Sequence, residues 1–117
     1  MQDTSYSNFP NQGFISATLE PNEIDPIKQE IEQIQKDFAN STVEELGNAG
    51  NLKNNFALQT SLPALQTIVQ PLCKKYCEVF AHGDSTQNEF NLKNAWVNYQ
   101  SKHEYFGNHT HNGLFSF

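Results

Sequence analysis

Apolar positions in this chain fall into two long stretches of helical spacing and two shorter stretches of alternation. Ile24, Ile27, Ile31, Ile34 and Phe38 recur at steps of three and four, which predicts one apolar stripe along a helix. Lys28, Glu30, Glu32 and Lys36 fall off that stripe, and the mostly acidic polar face argues against a helix lying on a membrane. Asp25 suits the N-cap, because its carboxylate can accept from free amides, and Pro26 suits the first turn. Leu62, Leu65, Val69, Leu72, Tyr76 and Phe80 repeat the spacing, with Ser61 as the cap and Pro63 in the first turn. Pro71 lies inside this second pattern and predicts a kink, since it removes one backbone bond. Gly83 is the expected C-terminal stop.

Alternation predicts a strand over 14–19, ended by Pro21, and a second strand over 92–101. In the second, Ala95, Val97 and Tyr99 point one way and Trp96, Asn98 and Gln100 the other. A further strand is expected to begin over 114–117. The first ten residues are polar and read as loose, with Phe9 and Pro10 leading towards an edge strand. Residues 40–55 are rich in Asn and Gly and read mostly as loop. This order predicts an α+β fold in one domain over 1–117: an N-terminal strand, two amphipathic helices, then strands.

Composition narrows the function classes. The chain has 117 residues, 14 aromatics and a net charge of −6, and its seven basic residues are all Lys. An acidic chain without Arg is a poor match for a phosphate backbone, so no nucleic-acid partner is expected. No stretch approaches the roughly 20 apolar residues of a membrane span, and the N-terminus has no basic-then-apolar leader. A cytoplasmic protein is the expectation. Cys73 and Cys77 lie four apart in the second helix pattern, where a disulfide would strain the helix, so they read as reduced thiols among core residues.

Candidate chemistry concentrates near the C-terminus. His109 and His111 are two apart, and on a strand both imidazoles would reach one point in space, which suits Fe, Zn, Ni or Cu. The same spacing also fits two surface or hydrogen-bonded histidines. Lys102, His103 and Glu104 read most simply as a solvated turn. His82 reads as a complement to a helix dipole.

Three short strings here resemble a known family. They are Ala95-Trp96-Val97-Asn98-Tyr99-Gln100, Lys102-His103-Glu104-Tyr105, and His109-Thr110-His111-Asn112-Gly113-Leu114-Phe115-Ser116-Phe117. Together they resemble the 2-oxoglutarate/Fe(II)-dependent oxygenases often encoded by tailed bacteriophages of marine bacteria. The upstream segment Asn48-Ala49-Gly50-Asn51-Leu52-Lys53 is similar to a Gly-Asn-Ile-Lys segment of that group. The resemblance covers about residues 47–117. It implies a double-stranded β-helix (jelly roll), here incomplete, with helices supplied from the N-terminal side. It implies Fe(II) as metal and 2-oxoglutarate as cosubstrate, decarboxylated to succinate while an unidentified substrate is oxidised. It also implies the host cytoplasm as the location if the chain is phage-encoded.

Carried over, the resemblance puts His109 at the first metal-ligand position and His111 where relatives carry a carboxylate. The distal His and the Arg of the pattern would lie beyond Phe117, so the chain is expected to be a C-terminally truncated piece and inactive alone. Asn98 and Tyr99 would lie on the strand leading to the metal, where they could contact cosubstrate; Tyr99 also reads as a packed strand aromatic. Two other readings stand beside this one. The chain fits a small non-catalytic binding or structural protein with an incidental His pair. It also fits a cupin-like metal-binding barrel, although the Glu that a cupin pattern wants after the second His is missing from 112–117.

Overall fold

The computed structural model describes residues 4–9, 12–44, 50–80 and 89–107. Among these residues the fold is mixed α+β, with two α-helices and two small antiparallel sheets. Strand β1 (Thr4–Phe9) pairs with β2 (Gln12–Ala17), from Thr4 opposite Ala17 to Phe9 opposite Gln12. The expectation of a loose N-terminus is therefore corrected. TSYSNF pairs along its whole length, with Thr4 opposite Ala17 and Tyr6 opposite Ile15, and Ser5 and Ser16 join by a hydroxyl–hydroxyl hydrogen bond of 2.8 Å. Strand β2 lies against the second helix.

Helix α1 (Pro21–Lys36) begins one turn earlier than Asp25 and Pro26 suggest. Pro21 takes the first helical position, where its missing N–H costs nothing. The Glu23 carboxylate reaches back to accept the Glu20 N–H at 2.8 Å. Pro26 then sits inside the helix without ending it. After Lys36 the chain tightens into a 3-10 turn, Phe38–Asn40, closed by the Ser41 hydroxyl donating to the Asp37 carbonyl at 2.7 Å. Helix α2 runs continuously over Leu62–Phe80 and through Pro71. The expected stop at Gly83 and the expected strand over 114–117 lie outside the described residues.

Between the helices is a strand that the Asn-rich composition hides, β3 (Asn54–Ala57). It pairs antiparallel with β4 (Trp96–Tyr99), with Asn54 opposite Tyr99 and Phe56 opposite Val97. On its other edge Val43 bridges Phe56, the Glu44 N–H donates to the Asn55 carbonyl at 2.9 Å and the Ala57 N–H to the Thr42 carbonyl at 2.8 Å. Part of the expected loop over 40–55 is thus sheet. Burial at Phe56, 3% exposed, outweighs the poor strand propensity of two Asn residues.

Directly opposite residues share a face, so Phe56, Val97, Asn54 and Tyr99 look towards α1. The core forms there: Ile34, Phe56, Leu58, Leu65 and Ala95 are buried, with Ile27, Ile31, Phe38, Leu62 and Leu92 packed around them. The isoleucine stripe of α1 packs as its spacing predicts. Phe38 stacks on Phe56 with ring centroids 4.8 Å apart.

Two polar side chains tie this core together. Glu30, on the polar side of α1, accepts the backbone N–H groups of Gln59 at 2.6 Å, Thr60 at 2.9 Å and Ser61 at 2.8 Å, and the Ser61 hydroxyl at 2.5 Å. One helix therefore caps the start of the other. Gln66 on α2 donates to the Phe90 carbonyl at 2.5 Å and accepts the Leu92 N–H, so its amide stands in for a strand at the approach to β4.

Candidate functional site

Strand β4 carries the first of the strings that the resemblance rests on. Its alternation is as the sequence predicts: Ala95 is buried, Val97 and Tyr99 join the core, and Asn98 and Gln100 are exposed. Asn98 and Tyr99 consequently stand on opposite faces of the sheet. Tyr99 faces the helices, 5.0 Å from the Phe38 ring and 6.2 Å from Phe56, and its hydroxyl donates to the Ile31 carbonyl. Burial pushes the Tyr99 phenol above its ordinary pKa. Asn98 faces away from the helices, beside its cross-strand partner Asn55. Asn55 is 6% exposed; its amide donates to the Leu52 carbonyl at 3.2 Å, and its Oδ1 meets no donor among the described residues.

Past Tyr99 the strand loops out and returns. The Glu104 N–H donates to the Ser101 carbonyl at 3.1 Å, the Ser101 N–H to the Glu104 carboxylate at 2.8 Å, and the Gln100 side chain to the Glu104 carbonyl at 2.6 Å. His103 occupies the left-handed region with φ 71°, a conformation that costs a side-chain-bearing residue about 1 kcal/mol. Lys102 and His103 are exposed, so the Lys-His-Glu string is a solvated turn. The ladder then resumes with Gly50 opposite Phe106.

Asn51 clamps the return. Its N–H donates to the Tyr105 carbonyl at 3.1 Å, its Oδ1 accepts the Tyr105 N–H at 2.7 Å, and its Nδ2 donates to the His103 carbonyl at 3.3 Å. Gly50, at φ 143°, lets the two segments approach; a methyl there would collide with the Tyr105 carbonyl oxygen. Sequence reasoning noted Gly50 and Asn51 only as part of a matching string and gave Glu30, Gln66 and Asn55 no role. No local signal announces Glu30, Gln66 or Asn51, whose partners lie 24 to 54 residues away.

His109 and His111, the expected ligands, lie outside the described residues, as does His82. Among the described residues no three His, Cys, Asp or Glu side chains converge to hold a metal ion. The nearest carboxylate before the pair, Glu104, is taken up by its own turn. Cys73 and Cys77 are free thiols, and burial, with a contribution from Cys77, raises the Cys73 pKa away from the ligating thiolate. Among the described residues no helix is long and apolar enough to cross a membrane. No protein-family model, curated protein or solved structure matches the chain.

Proposed function

We propose that the chain is the N-terminal portion of a 2-oxoglutarate/Fe(II)-dependent dioxygenase of jelly-roll type, with His109 and His111 as the metal-facing residues. What carries the reading is the match between strings and local structure. The Trp-x-Asn string forms a strand, the Lys-His-Glu string forms the polar turn after it, and the chain then returns to a bridge between Gly50 and Phe106, three residues before His109 in the sequence. Two helices cover one face of the sheet, as the family fold requires of its N-terminal side. Of the two cosubstrate candidates, Asn98 faces away from that helical layer, whereas the Tyr99 hydroxyl is engaged inside it.

The donor set does not complete an Fe(II) site. Two imidazoles without a carboxylate fall short of the two-His-one-carboxylate arrangement, and among the described residues no three His, Cys, Asp or Glu side chains converge to hold a metal ion. If the site were complete, Fe(II) would supply the oxidising chemistry, while the chain's own part would be orientation of the imidazoles and exclusion of water.

Divalent metal titration tests the reading. Binding by the 117 residues should be loose, with Cu and Ni above Fe, and the protein should give no succinate from 2-oxoglutarate with Fe(II) and ascorbate. His109→Ala should remove most of the metal binding and His82→Ala none. Equal loss from both variants would leave a non-catalytic binding protein as the better reading.

A further inference from the structure

Cys73 and Cys77 are free thiols one helical turn apart on α2, and they are the chain's two cysteines. Residues four apart on a helix share a face, with Cβ atoms about 5–6 Å apart. A disulfide needs about 3.8 Å between those atoms, so the helix keeps the pair from closing on itself. A bridging ion needs more room. A metal–thiolate bond is about 2.3 Å long, so a linear sulfur–metal–sulfur unit spans about 4.6 Å, which two Sγ atoms on such Cβ positions can bracket.

The surroundings select the ion. Among the described residues no third His, Cys, Asp or Glu joins the pair, so a tetrahedral Zn(II) shell is not completed there. Cys73 is 8% exposed and Cys77 is half-buried, which gives the pair one dry end and one end open to solvent. Val69, Tyr76 and Phe80 lie three or four residues from a cysteine, and the Tyr76 and Phe80 rings are 4.8 Å apart. Lys75 and Glu78 pair with each other at 3.4 Å, off the face that the cysteines share. A mostly apolar, water-poor dithiol suits a soft ion that is satisfied by two ligands.

We propose that Cys73 and Cys77 form a two-coordinate thiolate site for a soft monovalent cation of the Cu(I) or Ag(I) type. The inference is independent of the oxygenase reading, since neither cysteine belongs to that site. Binding forms two sulfur–metal bonds, breaks two S–H bonds and releases two protons to water; no atom changes oxidation state. Burial favours the protonated Cys73 thiol, so an ion must bond to sulfur strongly enough to displace that proton. Soft ions do this, whereas hard divalent ions prefer oxygen ligands. The helix adds affinity by holding the second thiolate beside the first, so that its attachment is intramolecular.

Anaerobic Cu(I) titration of the whole 117-residue protein against a competing chelator reads the site. One Cu(I) per chain is expected, with a thiolate-to-Cu(I) absorption band in the near ultraviolet and a raised melting temperature. Cys73→Ala and Cys77→Ala should each lower the affinity at least about 100-fold, because a single thiolate loses the chelate. Cys77 is half-buried, so its variant should keep the parent's circular dichroism. Cys77→Ala combined with Glu78→Cys keeps two thiols but moves the second off the shared face, and should bind no better than Cys77→Ala alone. His109→Ala should bind Cu(I) like the parent, and an equal amount of Zn(II) should not displace Cu(I). Affinity within about threefold of the parent in Cys77→Ala, recovery by the shifted thiol, loss of binding in His109→Ala, displacement by Zn(II), or one ion shared by two chains on a sizing column would each overturn the inference.

Discussion

Removing the Glu30 carboxylate should destabilise the fold by about 3 kcal/mol, a large loss for a side chain on the polar side of its helix. Four hydrogen bonds end on that carboxylate, but they are not equal. Gln59 and Thr60 are exposed, and water can take over their N–H groups at small cost. Ser61 is fully buried, so its N–H and its hydroxyl would be left without a partner in Glu30→Ala. Each such orphan costs about 1–3 kcal/mol, and the start of α2 also loses a favourable negative charge. The expected fall in melting temperature is roughly 10 °C. Urea unfolding followed by circular dichroism at neutral pH reads the loss directly, and Glu30→Ala with Ser61→Ala should cost much less than the two single losses added. The effect should also depend on pH. Burial by itself would raise the Glu30 pKa; donation from Ser61 and from the Gln59, Thr60 and Ser61 amides more than offsets this and holds it below the ordinary value of 4.5. A depressed carboxyl stabilises fully above its unfolded value, and that stabilisation is lost as pH falls through the folded one. The gap between parent and Glu30→Ala should therefore hold from pH 7 to about 5 and narrow towards pH 3. A loss under about 0.5 kcal/mol at pH 7, the size of an ordinary surface change, or a gap that does not narrow in acid, would refute the reasoning.

Three further perturbations have defined outcomes. Gly50→Ala places a methyl against the Tyr105 carbonyl at a positive φ and should cost about 2 kcal/mol or more, visible in chemical denaturation. Tyr99→Phe keeps the ring packing and loses only the bond to Ile31, so its cost should be about 1 kcal/mol by the same assay. Ile34→Asp buries a carboxylate in the α1 stripe and should cost about 3 kcal/mol or more; a variant as soluble and as helical as the parent would count against the core described here.

Helix existence and core faces were legible in the sequence because they are local periodicities. The stripe from Ile27 to Phe38 and the alternation of Ala95, Val97 and Tyr99 each declare a buried face without knowing what covers it. Boundaries were less so: Asp25-Pro26 and Glu20-Pro21 both look like helix starts, and the earlier one holds because the Glu23 carboxylate reaches the Glu20 amide. The polar strands were hidden for a different reason. Asn54–Ala57 has little strand propensity, Thr4–Phe9 dilutes its Thr, Tyr and Phe with Ser and Asn, and both pair with partners elsewhere in the chain, Trp96–Tyr99 and Gln12–Ala17. Of the candidate site, the turn over 101–104 was readable from its polar residues. The clamp by Asn51 was not, because an Asn that bonds across 54 residues looks like an Asn in a loop.

Gln66 has a consequence for how the chain can be cut or lengthened. By holding both the Phe90 carbonyl and the Leu92 N–H, it fixes the approach to β4 from the helix side, while α2 is anchored at its other end by Glu30. The approach to β4 is thereby fixed by a side chain 24 residues before the carbonyl it holds. A chain lengthened between α2 and β4 by several Gly-Ser residues should keep the Gln66 bonds and lose only a few tenths of a kcal/mol to loop closure. A single proteolytic cut in the same stretch should leave two pieces that travel together on a sizing column, zipped along β3 and β4 and buttoned by one glutamine.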